Sequence, residues 1–217
     1  SFLKVSLIAS FVLLILGLAD DIYTLSPFYR LTFQLLISIF VWQQGIRLNQ
    51  IDLSWMIEDY YFIIPKFLSL IITALWICMI INAFNWLDGL DGLAAGTCVV
   101  SSFGFLMIIL NFQSTSIYFL MASLIGSCIG FLLYNFYSAK IYMGDCGSYF
   151  IGFLLSIIAI YSTYSDKLTD ETFRSGNPFL PIFILLLPIA DMFCVILIRI
   201  SKGKSPFLGD RNHFHHR

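Results

Sequence analysis

The sequence predicts an all-α fold: a polytopic transmembrane bundle of about seven membrane-crossing helices. Three observations carry that prediction. Apolar residues make up 59% of the 217-residue chain and charged residues only 12%, against roughly 45–50% and about 25% in soluble domains. Mean hydropathy is +0.88. The apolar residues also gather in runs that approach or reach the length of about 17–25 residues a helix needs to cross hydrocarbon, and no stretch alternates as barrel strands must.

The predicted spans are 2–19, 31–46, 65–82, 93–110, 116–134, 148–164 and 178–198, which together form a single integral membrane domain over 1–217. The first closes at Asp20 and Asp21, and the second follows Arg30. The third is the run "FLSLIITALWICMII", which ends in the amides of "NAFNWLDG". The fourth starts after Asp91, a good N-cap, and the fifth ends at "LLYN". The sixth begins at Ser148, which is read as its N-cap, and the seventh carries Asp191 within it. Small-residue spacings at Gly92–Gly96 and Gly126–Gly130 suit helix–helix packing. The five cysteines form no CxxC pair and read as reduced packing residues. Strands are not expected.

Seven crossings sort the connections onto two sides. All the unusual polar clusters fall on one: "GLADDIY", "NAFNWLDGLDG", "MGDCGS" and "SPFLGDRNHFHHR". The other side has ordinary polar connectors. The twelve Lys and Arg divide seven to five in favour of the cluster side, so the positive-inside rule puts the clusters in the cytoplasm. A net charge of −1 supplies no global basic field and argues against a nucleic-acid partner.

Each cluster has a plain reading and a chemical one. Asp20 and Asp21 close a helix, where carboxylates face the negative end of the macrodipole. They are either a solvated turn or a pair facing a cation. Asn82, Asn85, Asp88 and Asp91 recur every three residues. Capping accounts for Asp91. On a helix the others share a face, and their oxygens suit a hard cation or a polar ligand. Asp145 sits between glycines before the sixth helix. Arg211, His213, His215 and His216 fit phosphate contact better than zinc, because no thiolate lies near and the neighbours are cationic. A juxtamembrane basic anchor is the plain alternative there. Asp191 is functional by its membrane position, or it pairs structurally with a base such as Arg199.

Carboxylates alone repel an anionic substrate, and a divalent cation bridging them to phosphate oxygens resolves the conflict. The residues therefore point to metal-assisted phosphoryl transfer with one soluble and one lipid substrate. A transporter would place its acids near helix midpoints, and only Asp191 fits that. A non-catalytic lipid-binding protein would explain the basic tail but not the repeated Asn/Asp face.

At these motifs the chain resembles the polyprenyl-phosphate N-acetylhexosamine-1-phosphate transferases of bacterial envelope synthesis, a branch of glycosyltransferase family 4. Four matching motifs occur in order across nearly the whole chain. The ending "DRNHFHHR" is similar to the HxHH branch, which is undecaprenyl-phosphate GlcNAc-1-phosphate transferase-like. The phospho-MurNAc-pentapeptide branch, the alternative, carries three consecutive histidines and a Thr where this chain has Trp86. The resemblance implies ten or eleven helices, of which this chain is the central part.

The resemblance also implies site roles. Asp145 would ligate Mg²⁺, with Asn85 as partner and Mn²⁺ as a substitute ion. Asp20 and Asp21 would orient the lipid phosphate or act as base. Asn82, Asp88 and Asp91 would line the nucleotide pocket, with Asn135 nearby. Arg211, His213, His215 and His216 would contact the diphosphate or sugar, and Arg30 would assist the lipid phosphate. The implied partners are a UDP-N-acetylhexosamine, undecaprenyl phosphate and membrane lipid, with a homodimer as candidate assembly. The implied location is the bacterial cytoplasmic membrane, with the active site facing the cytoplasm and a product that starts a lipopolysaccharide or related polymer.

Overall fold

The computed structural model describes residues 2–52, 61–109, 115–163 and 179–203. Eight helices and one short hairpin account for them: α1 Phe2–Tyr23, α2 Pro27–Gln43, β1 Gln50–Asp52, β2 Tyr61–Ile63, α3 Lys66–Leu87, α4 Leu93–Ile109, α5 Thr115–Asn135, α6 Gly144–Ser162, α7 Phe179–Ile184 and α8 Leu186–Ser201. The all-α membrane bundle expected from composition is the fold. Four helices, α1, α3, α5 and α6, are long and apolar enough to cross a membrane. Large apolar side chains such as Phe11, Leu133 and Phe183 are more than 60% exposed on the outside, as a lipid-facing surface requires.

Two expectations about elements need correction. Strands do occur: β1 and β2 pair antiparallel, with Ile51 opposite Phe62, inside a connector read as irregular. The seventh span is two helices. Pro188 has no N–H to give the Ile184 carbonyl and its ring crowds that turn, so the helix breaks at Leu185. The freed Ile184 carbonyl accepts the Ser101 hydroxyl at 3.2 Å, and the bonds Leu185 N to Pro181 O and Ile189 N to Leu185 O carry the backbone across the break.

Helix α6 is the centre of the bundle. It is buried on nearly every face and packs against α1, α3 and α4. Without water to drive apolar burial between helices, close backbone approach does much of the work. A Cβ on Gly152 of α6 would meet Ile81 Cα of α3 at 2.9 Å, and one on Gly17 of α1 would meet the Asp145 carbonyl oxygen at 2.5 Å. These glycines set the two tightest crossings. Gly96, Gly126 and Gly130, expected to serve that purpose, have nothing within 4 Å of a built Cβ among the described residues. Gly126 and Gly130 lie on the exposed side of α5.

Candidate active site

Three of the four polar clusters meet at one end of the bundle, where α1, α3, α5 and α8 finish and α2, α4 and α6 begin, and the fourth, 205–217, lies outside the described residues. Asp20 and Asp21 lie within the last turn of α1 rather than in a loop. Their unfavourable position against that helix's dipole is offset from outside the helix. Asp20 is 3% exposed. Its Oδ1 accepts the Leu25 N–H at 2.8 Å. Its Oδ2 accepts both the Tyr149 hydroxyl at 2.8 Å and Arg30 Nη1 at 3.1 Å. Asp21 turns the other way. Its two oxygens accept the backbone N–H groups of Asp145 at 2.8 Å and Cys146 at 3.1 Å.

Those two N–H groups are the orphan donors of the first turn of α6. The residue at the N-cap position, Met143, makes no side-chain cap bond. Asp21 takes over that function from another helix, in the pattern an N-cap Asp uses on its own chain, and its charge faces the positive end of α6. Helix α6 therefore starts one turn earlier than Ser148, the expected cap. Ser148 is instead inside the helix, accepting a bond from Asn85. Gly144, at φ +67°, makes the turn: a Cβ there would lie 2.9 Å from Asp21 Oδ2.

Asn82, Asn85 and Asp88 lie along one wall, at the end of α3 and its C-cap, as their spacing predicts. Both amide groups are oriented by what their NH₂ groups do. Asn82 donates to Gln34 Oε1 at 2.6 Å and to the Cys78 carbonyl at 2.7 Å. Asn85 donates to Asp145 Oδ1 and to Ser148 Oγ, the latter at 3.1 Å. The NH₂ hydrogens are thus engaged within the protein, which leaves the amide oxygens as acceptors. Arg30 Nη1 lies 3.8 Å from Asp145 Oδ2, between the two carboxylates Asp20 and Asp145.

A cavity of about 620 Å³ opens between α2, α3 and α8. Arg30, Asn82, Asn85, Asp88, Asp145 and Arg199 supply its polar lining, and Leu31, Leu75, Met79, Met192 and Ile196 its apolar lining. Arg199 is buried and lies over the Trp86 ring, 5.0 Å from its centroid, a cation–π contact. The Asp88 carboxyl is pushed up to about 7. Burial is the main cause, with Asp145 and Asp21 adding repulsion and the Gly144 N–H opposing the rise.

Three other expected residues stand apart from the cavity. Asp91 does not cap α4, whose first residue is Leu93. Its Oδ2 accepts the Ala139 N–H at 3.0 Å. Buried Asn135 ties the same region together, accepting from Gly92 N at 3.0 Å and donating to the Ile141 carbonyl at 2.8 Å. Asp191 is half-buried on α8 and does not line the cavity. Arg211, His213, His215 and His216 lie outside the described residues. Tyr149, Gln34 and Trp86 belong to the site's fabric but are not site candidates by sequence, and Arg199, one of the cationic neighbours of the tail histidines in the sequence reading, belongs to it as well. The signal available for Gln34 and Tyr149 is a polar group inside an otherwise apolar run, with Gln34 one helical turn beyond Arg30.

The family model for glycosyl transferase family 4 matches residues 3–163, a stretch that contains every described site residue except Arg199. The chain belongs to glycosyl transferase family 4. It is 33% identical over 210 residues to a Bacillus subtilis (strain 168) protein named a probable undecaprenyl-phosphate N-acetylglucosaminyl 1-phosphate transferase, covering 97% of this chain and 56% of that protein. It is 30% identical over 210 residues to the Escherichia coli (strain K12) undecaprenyl-phosphate alpha-N-acetylglucosaminyl 1-phosphate transferase, covering 94% and 55%. A Mycobacterium leprae (strain TN) decaprenyl-phosphate N-acetylglucosaminephosphotransferase is 35% identical over 164 residues, covering 69% and 41%. This family 4 chain thus spans about half the length of the curated relatives it matches, and its apolar helices make it a multi-pass membrane protein.

The oxygen-rich lining bears on which ions a family 4 site of this kind accepts. Among the described residues no group of three or more His, Cys, Asp or Glu gathers as a metal cluster. The oxygen-bearing residues that line the cavity together are Asp145, Asp88, Asn82 and Asn85. Mg²⁺ typically takes one or two carboxylates and keeps several waters, so this donor set fits it.

Proposed function

We propose that the full-length protein transfers N-acetylhexosamine 1-phosphate, with GlcNAc as the sugar, from a UDP-sugar to undecaprenyl phosphate. One observation carries the reading: a single cavity joins a charged wall to an apolar one at the membrane-end cluster of carboxylates, amides and arginines. A nucleotide sugar needs the first wall and a polyprenyl chain the second. The names of the relatives in Bacillus and Escherichia support the choice of substrates.

In this reading a phosphate oxygen of the lipid attacks the β-phosphorus of the UDP-sugar. A bond forms from that oxygen to phosphorus, the β-phosphorus bond to the bridging oxygen breaks, and UMP leaves with the electron pair. A phosphate monoester with a second pKa of about 6 is mostly dianionic at neutral pH, so it needs little help from a base. The three donors on Asp20 assign it to holding Arg30 rather than to accepting a proton. Arg30 grips the lipid phosphate. Asp21 fixes the start of α6 and with it Asp145. Arg199, braced on Trp86, faces the nucleotide sugar's phosphates, and Arg211, His213, His215 and His216 keep the phosphate-contact role their sequence suggests. Asp145, Asn85 and Asp88 would hold Mg²⁺, or Mn²⁺ in its place, and the ion when bound neutralises charge developing on the phosphoryl oxygens.

The lysine and arginine bias supports a site facing the cytoplasm of a bacterial inner membrane, where the product would begin a cell-envelope polysaccharide. The test is UMP release from UDP-GlcNAc by the purified full-length protein, with and without undecaprenyl phosphate and Mg²⁺. Release that requires both is the expected result. No release with any UDP-N-acetylhexosamine, from folded protein, overturns the reading.

A further inference from the structure

Tyr149 joins the centre of the bundle to the charged end. It sits in α6, one residue after Ser148, and is 1% exposed. Its hydroxyl donates to Asp20 Oδ2 at 2.8 Å. Arg30 Nη1 uses that same oxygen at 3.1 Å. The same nitrogen lies 3.8 Å from Asp145 Oδ2. Arg30 is therefore held between two carboxylates, one buried and one on the cavity wall, closer to the buried one.

A buried carboxylate oxygen shared between two donors gives less of its charge to each. From this geometry we infer that Tyr149 is a positioning residue: by sharing Asp20 with Arg30 it sets how far the guanidinium reaches towards Asp145 and the cavity, and so sets the affinity for a polyprenyl phosphate. The inference rests on the proposed reading for the identity of the phosphate. Asp20 Oδ1 is already occupied by the Leu25 N–H, so with the hydroxyl gone Oδ2 keeps Arg30 as its remaining hydrogen-bond donor. Tyr149→Phe keeps the ring in the core and removes only the hydroxyl. Asp20 then draws Arg30 inward, away from the cavity.

The experiment measures binding and turnover separately, on full-length protein in nanodiscs. Dissociation constants are taken for a short-chain polyprenyl phosphate and for UDP-GlcNAc, in wild type, Tyr149→Phe, Arg30→Lys and the double variant. Tyr149→Phe should weaken polyprenyl phosphate about fivefold to tenfold, the scale of one ordinary hydrogen bond, and leave UDP-GlcNAc within twofold. In the Arg30→Lys background the further loss should fall below twofold, because the two residues act through one contact. A merely structural role would lower the melting temperature and weaken both ligands alike, and that overturns the inference. Equal polyprenyl phosphate binding by wild type and Tyr149→Phe also overturns it while leaving the transferase reading intact. Wild-type binding without turnover sinks the transferase reading and leaves the role of Tyr149 to be judged from the binding ratios.

Discussion

The two ends of this bundle satisfy their polar groups in opposite ways. At the cluster end, single side chains serve several partners far apart in sequence. Asp20 joins α1, α2 and α6, and Asp21 caps a helix 124 residues away. At the other end the described polar groups pair one to one. Trp42 Nε1 donates to Ser69 at 3.1 Å, Thr73 Oγ1 accepts the Leu48 N–H at 3.0 Å, and Trp76 Nε1 donates to the Ser156 carbonyl at 3.1 Å. Arg47 and Lys66 lie over the Trp42 ring, an amphipathic grouping suited to a membrane interface. The cavity there, about 190 Å³, is almost wholly apolar. Shared partners make the first end preorganised for charge. Single pairs make the second a scaffold whose parts fail separately.

That contrast can be broken or sharpened by substitution. The largest effect is expected from Asp145→Asn, which removes a carboxylate from the convergent donor set. UMP release should fall at least about a hundredfold, with the melting temperature nearly unchanged. Gly17→Val comes next. Its side chain needs space held by the Asp145 and Cys146 backbone, so α1 and α6 must separate and the site must shift. A misplacement of about 1 Å is enough for a loss on the order of a hundredfold, here accompanied by a lower melting temperature. Full activity in Gly17→Val would refute the close-crossing argument.

Asp21 offers a graded test. Asp21→Ala strips α6 of its cap and should cost about 1 kcal/mol of stability. Asp21→Asn keeps one accepting oxygen and should lose less than half of that in a thermal melt. If Asn and Ala behave alike, the capping role fails.

Asp88 gives a pH signature. Its carboxyl is held up at about 7, chiefly by burial, well above the ordinary value near 4. The proton it retains on folding contributes stability that is complete below the unfolded pKa and is lost as pH rises through 7. Without divalent ions, Asp88→Asn should therefore melt higher than wild type at pH 8.5, by a few degrees, and the difference should shrink towards pH 5. A pH-independent difference would contradict this. The smallest functional effect is expected at the scaffold end. Thr73→Val leaves the Leu48 N–H without its acceptor and should cost about 1 kcal/mol in stability, with UMP release within twofold of wild type.

Much of the bundle was legible because a bilayer demands it: apolar runs of spanning length become helices, and polar clusters mark their ends. The shared face of Asn82, Asn85 and Asp88 was legible for the same kind of reason, since a three-residue spacing is local geometry. The hairpin was missed because strands of three residues carry no measurable alternation. The break at Leu185 was open to prediction from Pro188, whose missing N–H is a local fact. Asp91 and Ser148 were misread as caps because capping rules assume the nearest oxygen does the work. Here a more distant one, Asp21, reaches α6 first.

Sequence alone, then, determined what depends on neighbours along the chain: the membrane class, most helix positions, the gathering of polar motifs on one side, and the family. Tertiary structure decided what depends on neighbours in space. It made Asp20 an anchor, made Asp21 the cap of α6, engaged the amide NH₂ groups of Asn82 and Asn85 within the protein, and brought Tyr149 and Arg199 to the site. The physical reason is that a side chain's role is set by which donors and acceptors surround it, and in this bundle those partners lie up to 129 residues away.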